Sequence, residues 1–328
     1  MPRMSTIRVD QQSPDPAAIE QAAAVLRAGG LVAFPTETVY GLGANALDSE
    51  AVARIFAAKG RPSYNPLIVH VHDAAVARAL AAAWPAGADA CADSFWPGPL
   101  TLVVARAPHV PDAVTAGLPT VAIRVPAHPV ARALLKAAEI PVAAPSANRS
   151  TELSPTLAEH VQKSLGGKVD LILDAGPTPV GIESTVIDLS GSAPVLLRPG
   201  SLSQATLERV LGPLMLSASA GHSRDARPSP GMLDRHYAPQ AELRLFTPCG
   251  VLDVRPDYRV GALLLSCEAM AHHKIRMPGD PESYAQRLYA ELHSLDDAGC
   301  DLILVERVPE TAEWAGVRDR LNRAARRG

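Results

Sequence analysis

The stretch FPTETVYGLGANALDSEAVARIFAAKGRPSYNPLIVH, from Phe34 to His70, decides how this chain is read. It begins where a short apolar run, residues 31–34, ends on Thr36, Glu37, Thr38 and Tyr40. The chain then crosses Gly41 and Gly43 and enters a helical pattern over residues 49–58, with Val52, Ile55 and Phe56 on one face. Asp48 or Ser49 serves as the N-cap and Gly60 as the stop. Lys59, Arg61 and Asn65 crowd the loop before a second apolar strand, residues 67–71. Hydroxyls and cations at strand ends do nothing for packing, whereas α/β folds place ligand groups there. The stretch predicts an α/β fold carrying a site for an anionic, phosphate-bearing ligand.

Working outward, the same alternation runs through the first 210 residues or so. A helix over 19–28 stops at Gly29-Gly30, and strands are expected at 31–34, 67–71, 100–105, 121–125, 142–144, 169–173, 185–189 and 195–198. Helices are expected near 73–83, 129–138 and 156–165. Several strands follow one another with no helix between them, which predicts a mixed, twisted sheet and not a plain doubly wound one. The pattern lapses over 212–240, where Pro, Gly, Ser and Ala dominate and a linker is expected. A spacer seldom needs His236 beside Tyr237, so this linker is also a candidate lid. Beyond it, strands at 242–246, 260–265 and 301–305 and helices at 281–298 and 311–326 predict a small Rossmann-like α/β domain over 241–328.

Composition narrows the function. The net charge of −3 carries no global basic field of the kind that advertises nucleic-acid binding. Only five of the 31 cations are lysines, a bias that makes Lys59 stand out. The cysteines, Cys91, Cys249, Cys267 and Cys300, are widely spaced, which argues against a zinc or disulfide framework and suits a reducing cytosol. No apolar run approaches the roughly 18 residues that a bilayer span requires. The N-terminus lacks a secretory pattern, so a cytoplasmic protein is expected. Arg323, Arg326 and Arg327 suit the C-terminal end of a helix. There is no P-loop, no dinucleotide fingerprint around Gly41-Leu42-Gly43, no zinc-protease helix and no nucleophile elbow.

What remains is polar residues on loops after strands. Lys59 and Arg61, a point charge and a planar fork, suit one anion; a solvated turn is the alternative. Ser146-Ala147-Asn148 follows a strand and suits a phosphate or ribose, or else a helix cap. Arg124 lies inside the apolar strand VAIRV and must be paired or face a cavity, with Glu37 or Glu183 as the ion-pair partner in the first case. Thr120, Ser184 and Arg198 belong with it. Of His70 and His72, His72 is expected to face outward and His70 is the better candidate.

Taken in order, these residues resemble the Sua5/YrdC family of threonylcarbamoyl-AMP synthases. The resemblance rests on PTETVYGLG from Pro35, KGRP and NPLIVH from Lys59, FWPGPLTLV from Phe95 and VAIRVP from Val121. It continues through PSAN from Pro145, GIESTVID from Gly181 and LRPG from Leu197, and covers roughly residues 15–205. SPGMLDRHYAP from Ser229 resembles the linker of the long, Sua5-type members, and GVRDRLNRAA near the end matches less distinctively. The resemblance implies a YrdC-like catalytic domain that makes threonylcarbamoyl-adenylate from L-threonine, bicarbonate and ATP. Pyrophosphate would be released and Mg2+ would accompany the ATP, in the first step of t6A modification of tRNA. It assigns Thr38, His70, Arg124 and Ser184 to threonine, and Lys59, Arg61, Ser146, Asn148 and Arg198 to the phosphates and the developing charge. Asn65, Thr120, Ser154, His236 and Tyr237 complete the nucleotide pocket. A tRNA threonylcarbamoyltransferase complex would receive the product, and contact with tRNA itself is not required. The alternative is a YrdC-like module that binds double-stranded RNA without synthesis. A carbamoyl-transfer enzyme of hydrogenase maturation would need zinc-finger cysteines that this chain lacks.

Overall fold

The computed structural model describes residues 5–217, 237–247 and 255–326. A twelve-stranded mixed sheet dominates. Its strands are β1 (Ser5–Arg8), β2 (Val32–Pro35), β3 (Tyr40–Asn45), β4 (Ile68–His70), β5 (Ala81–Ala83) and β6 (Leu100–Arg106). They continue with β7 (Thr120–Arg124), β8 (Val142–Ala143), β9 (Leu171–Asp174), β10 (Thr185–Asp188), β11 (Val195–Arg198) and β12 (Met215–Leu216). The order is β1-β9-β2-β3-β8-β4-β7-β6-β10-β11-β12, with β5 against β6. Helices Pro16–Arg27 and Pro129–Ala138 pack together through Ala22, Ala23, Leu26, Val130 and Leu134 over Val32, Phe34 and Leu171. The opposite face buries Val52, Ile55, Leu100, Leu102, Ile123 and Val161. Each such side chain contributes on the order of 1.5–3 kcal/mol by leaving water.

A second sheet follows, with strands β13 (Glu242–Phe246), β14 (Val260–Leu264), β15 (His273–Arg276) and β16 (Leu302–Glu306). Its order is β13-β16-β14-β15, parallel throughout. Helices Pro281–Asp297 and Ala315–Ala324 cover one face through Tyr284, Leu288, Tyr289, Leu292, Val317 and Leu321. The mixed sheet and the smaller Rossmann-like unit are the architecture the sequence predicts. Among the described residues no helix is long and apolar enough to cross a membrane.

The differences have local causes. Tyr40–Asn45 is a strand, although its two glycines weigh against strand propensity; pairing with β2 on one edge and β8 on the other overrides them. The PTET segment is therefore a hairpin turn. The helix expected over 73–83 stops at Ala79, and Ala81–Ala83 instead pairs with β6. Ser5–Arg8 adds an edge strand beside β9, and the Gln204–Leu211 helix and β12 stay with the large sheet. The first unit thus reaches beyond 15–205 at both ends, and the expected linker 212–240 begins as an edge strand. Residues 218–236 lie outside the described residues.

Candidate functional site

Parallel pairing of β4 with β7 sets Ile68 beside Ala122 and His70 beside Arg124, so two buried polar side chains finish adjacent strands. They open on a cleft that is also lined by Thr36, Thr38, Arg61, Ser146, Glu183, Ser184, Arg198 and Tyr237. Ile68 lines the cleft and packs with Val103, Ala122, Val186 and Leu197 in a small apolar cluster.

At one end the hairpin turn meets Arg124. Arg124 Nη1 donates to Thr38 Oγ1 at 2.9 Å and Nε donates to Gly98 O at 3.1 Å. Thr36 gives its proton to Val39 O at 2.7 Å, so across the 2.8 Å contact between the two hydroxyls Thr38 is the donor. Nη2 lies 2.6 Å from Glu37 Oε1. The ion pair with Glu37 that the sequence allows is therefore present, and Arg124 also faces the cleft. That contact lacks hydrogen-bond direction: Nη2 and Oε1 make no hydrogen bond, and neither does His70 Nδ1. Burial, then the Arg124 charge, pushes the His70 pKa down to about 3, so its ring is neutral. His72 is only partly buried and sits beside Asp73.

The opposite wall comes from β10 and β11. A register shift between Val186 and Ile187 aligns Val186 with Arg198 and Ile187 with Leu196, which leaves Leu197 as an extra residue in β11. Arg198 Nε donates to Ser184 O at 3.0 Å and Nη2 to Ser184 Oγ at 3.1 Å. The Ser184 hydroxyl also meets Thr101 Oγ1 at 2.8 Å. Burial and the nearby Arg320 lower the Arg198 pKa, against the raising effect of Tyr237.

The Ser49–Lys59 helix ends at Gly60 in the left-handed conformation, φ 61°, where a side chain would be strained. That turn sends Arg61 inward, donating to Asn65 O at 3.2 Å and Pro66 O at 2.9 Å. Burial first, with Arg198 adding, brings the Arg61 pKa down to about 10. Lys59 points behind the cleft, and its Nζ donates to Ser146 O and Asn148 O at 2.5 Å each. Burial, then Arg61, holds its pKa well below the usual lysine range. Asn148 Nδ2 bonds Arg149 O and Glu152 O, while its buried Oδ1 has no hydrogen-bond partner.

The structure thus gathers Thr38, Arg61, His70, Arg124, Ser146, Ser184, Arg198 and Tyr237 on one cleft. Lys59 and Asn148 stand one layer behind, bracing the Ser146 loop. Asn65 and Thr120 are set at the Arg61 end. Thr120 begins β7 two residues before Ala122, on the face of Ala122 and Arg124. Asn65 Nδ2 is buried there without a hydrogen-bond partner. Ser154 does not line the cleft; its Oγ donates to Glu183 Oε1 at 2.5 Å. Tyr237 is buried with φ 62°, an outlying conformation for a bulky residue. His236 lies outside the described residues.

Sequence reasoning missed Glu183's true partner. Its Oε2 receives Arg320 Nε at 2.7 Å and the Tyr289 hydroxyl at 3.2 Å. A signal existed: Val317, Arg320, Leu321 and Ala324 share one helical face, so an arginine stands on an apolar stripe.

The family profile described as "Telomere recombination" (Sua5, YciO, YrdC) matches residues 24–200. That of "Threonylcarbamoyl-AMP synthase, C-terminal domain" matches 202–326. The chain is 43% identical over 318 residues to the threonylcarbamoyl-AMP synthase of Pyrococcus abyssi, covering 94% of each chain. It is 43% identical over 332 residues to that of Bacillus subtilis, covering 96% of this chain and 95% of the other. The crystal structure of P. abyssi Sua5 complexed with L-threonine superposes with a TM-score of 0.89 at 42% identity, over 98% of this chain and 97% of that one.

Proposed function

The chain belongs to the Sua5/YrdC family of threonylcarbamoyl-AMP synthases, and on that premise we propose how its cleft divides the substrates. It is a nucleotidyl-transferring enzyme of tRNA modification, and this reading displaces the RNA-binding module. What supports the division is that Arg124 Nη2 and His70 Nδ1 stand in the cleft without a hydrogen-bond partner at the β4–β7 end, while the buried cations Arg61 and Arg198 line the rest of it.

In this proposal threonine lies at the β4–β7 end. Its carboxylate takes the free direction of Arg124 Nη2, and Thr38, His70 and Ser184 surround the amino and hydroxyl groups. The neutral His70 ring adds no charge there. ATP lies across the rest of the cleft with adenine over Ile68 and Ala122, bounded by Asn65 and Thr120. Its phosphates meet Arg61, Ser146 and Arg198, with Lys59 and Asn148 holding the loop that presents Ser146. Tyr237 covers the nucleotide as a lid.

The threonine amine condenses with bicarbonate to a carbamate, releasing water. A carbamate oxygen then attacks the α-phosphorus as the bond from that phosphorus to the bridging oxygen breaks, and pyrophosphate leaves. Such a displacement needs alignment and charge neutralisation more than a covalent nucleophile. Among the described residues no three His, Cys, Asp or Glu side chains are grouped to cage a metal. Mg2+ would accompany the ATP and offset the charge of its phosphates, beside Arg61 and Arg198. We place the enzyme in the cytoplasm, handing its adenylate to a tRNA threonylcarbamoyltransferase complex.

The test is pyrophosphate release from ATP, without RNA, with threonine and bicarbonate each omitted in turn. Release that requires both supports the proposal. Release independent of bicarbonate, or absent until RNA is added, overturns it.

A further inference from the structure

We propose that Arg320, in the C-terminal unit, is a positioning residue of the synthase site: it holds in register the two loops that present Ser184 and Arg198. The inference rests on the synthase reading and deepens it, because it makes the smaller unit a structural part of the active site.

Arg320 is 1% exposed. One guanidinium reaches both loops: Nε and Nη2 bond the side chain and main chain of Glu183 at 2.7 and 3.1 Å, and Nη1 bonds Pro199 O at 2.8 Å. Glu183 directly precedes Ser184, and Pro199 directly follows Arg198. From the cleft side Arg198 closes the same two loops onto each other through Ser184. Two guanidiniums, one per unit, therefore clamp one pair of loops from opposite sides.

Three further contacts belong to the clamp. The Ala315–Ala324 helix sits so close to the second loop that a Cβ on Gly316 would fall 2.4 Å from Gly200 O. Tyr237 lies with its ring 5.2 Å from the Arg320 guanidinium carbon and 6.0 Å from the Tyr289 ring. Glu183 itself lines the cleft. Burial alone would raise its pKa, but Arg320 and Arg198 outweigh that and hold the carboxyl below its usual range. A bare carboxylate there would repel the phosphates; a paired one does not.

A buried ion pair is a weak way to glue two units, since apolar packing of the same volume often does as well or better. What a planar fork offers over packing is orientation, which lysine cannot reproduce.

The experiment compares Arg320→Lys, Arg320→Gln and Gly316→Ala with a control, Leu304→Ala, in the buried cluster that includes Val260, Ala262 and Leu264. Steady-state pyrophosphate release is measured with threonine and ATP varied, normalised to folded protein by circular dichroism. Both Arg320 variants raise KM for threonine and for ATP by about tenfold or more, as a displaced binding loop would. Gly316→Ala moves both in the same direction without touching a charge, and Leu304→Ala lowers the thermal midpoint while leaving both KM values unchanged. Folded Arg320→Lys enzyme with wild-type KM values overturns the inference, as does a Leu304→Ala enzyme whose KM values rise equally. Wild-type enzyme without threonine-dependent release overturns the synthase reading instead, so the two failures are distinct.

Discussion

Arg124 and Glu37 face one another 2.6 Å apart with only 3% and 7% of their side chains exposed. Two of the three Arg124 nitrogens are bonded to Gly98 O and Thr38 Oγ1, and only Nη2 meets Glu37 without hydrogen-bond direction. A substrate carboxylate can take Nη2 while the other two bonds persist. Arg124→Lys is expected to raise KM for threonine by about a hundredfold, because an ammonium keeps the charge but loses the fork. KM for ATP should stay close to wild type. A threonine titration of pyrophosphate release checks this, and an unchanged KM for threonine would remove the carboxylate role.

Glu37 competes for the same nitrogen. Glu37→Gln leaves Arg124 buried without its counter-charge, which costs about 3–5 kcal/mol when one partner of such a pair is removed. The thermal midpoint should fall, yet calorimetry should find threonine bound more tightly than by wild type. Weaker binding would mean that Glu37 orients Arg124 for the substrate and does not compete with it.

Acid stability follows from buried histidines. Burial, reinforced by Arg124, puts His70 at about 3; burial, then His293 and Lys163, puts His160 at about 3; burial puts His293 at about 4. The unfolded chain protonates them near 6.5, so below that pH it binds protons the folded chain does not. Their contribution to stability is whole above about pH 6.5 and falls by about 1.4 kcal/mol per histidine per pH unit as the pH drops toward 4. His160 and His293 stack across the two units with centroids 3.8 Å apart. Urea midpoints measured between about pH 7 and about pH 5 should fall less steeply in His293→Gln than in wild type.

How much of this was legible in the sequence depends on the range of the interaction. Arg124 was legible because a charge inside VAIRV has to be answered. Its apolar neighbours show the strand by themselves. β3 was not legible, because Gly41 and Gly43 mask a strand whose stability comes from partners on both edges. That Lys59 stands out in the K-G-R-P string was legible, but not that its Nζ donates to the carbonyls of Ser146 and Asn148. Only the fold could show that. Glu183 and Arg320 stand 137 residues apart, and no local pattern joins them.

Lys59 gives the corresponding prediction. Lys59→Met fills the slot but leaves two buried carbonyls without a donor, so the Ser146 loop shifts. KM for ATP is expected to rise by about tenfold or more, with threonine binding retained. Lys59→Arg should not rescue, since the forked head does not fit a space closed around one ammonium. A Lys59→Met enzyme with wild-type KM for ATP would make the lysine dispensable to the loop.

Tyr237 tests the lid. A bulky residue at φ 62° costs on the order of 1–3 kcal/mol unless its surroundings hold it there. The Arg320 guanidinium, which lies over the ring, and the tilted Tyr289 ring are among those surroundings. Tyr237→Phe keeps the ring and should leave KM for ATP near wild type. Tyr237→Gly relieves the backbone strain of about 1–3 kcal/mol but leaves a cavity that costs about 3–5 kcal/mol, so the thermal midpoint should fall, while KM for ATP, measured on the folded protein, rises by about tenfold or more. The glycine variant separates the two roles of the residue. If it bound ATP as wild type does, the ring would serve only the interface between the two sheets, and the nucleotide would need another cover.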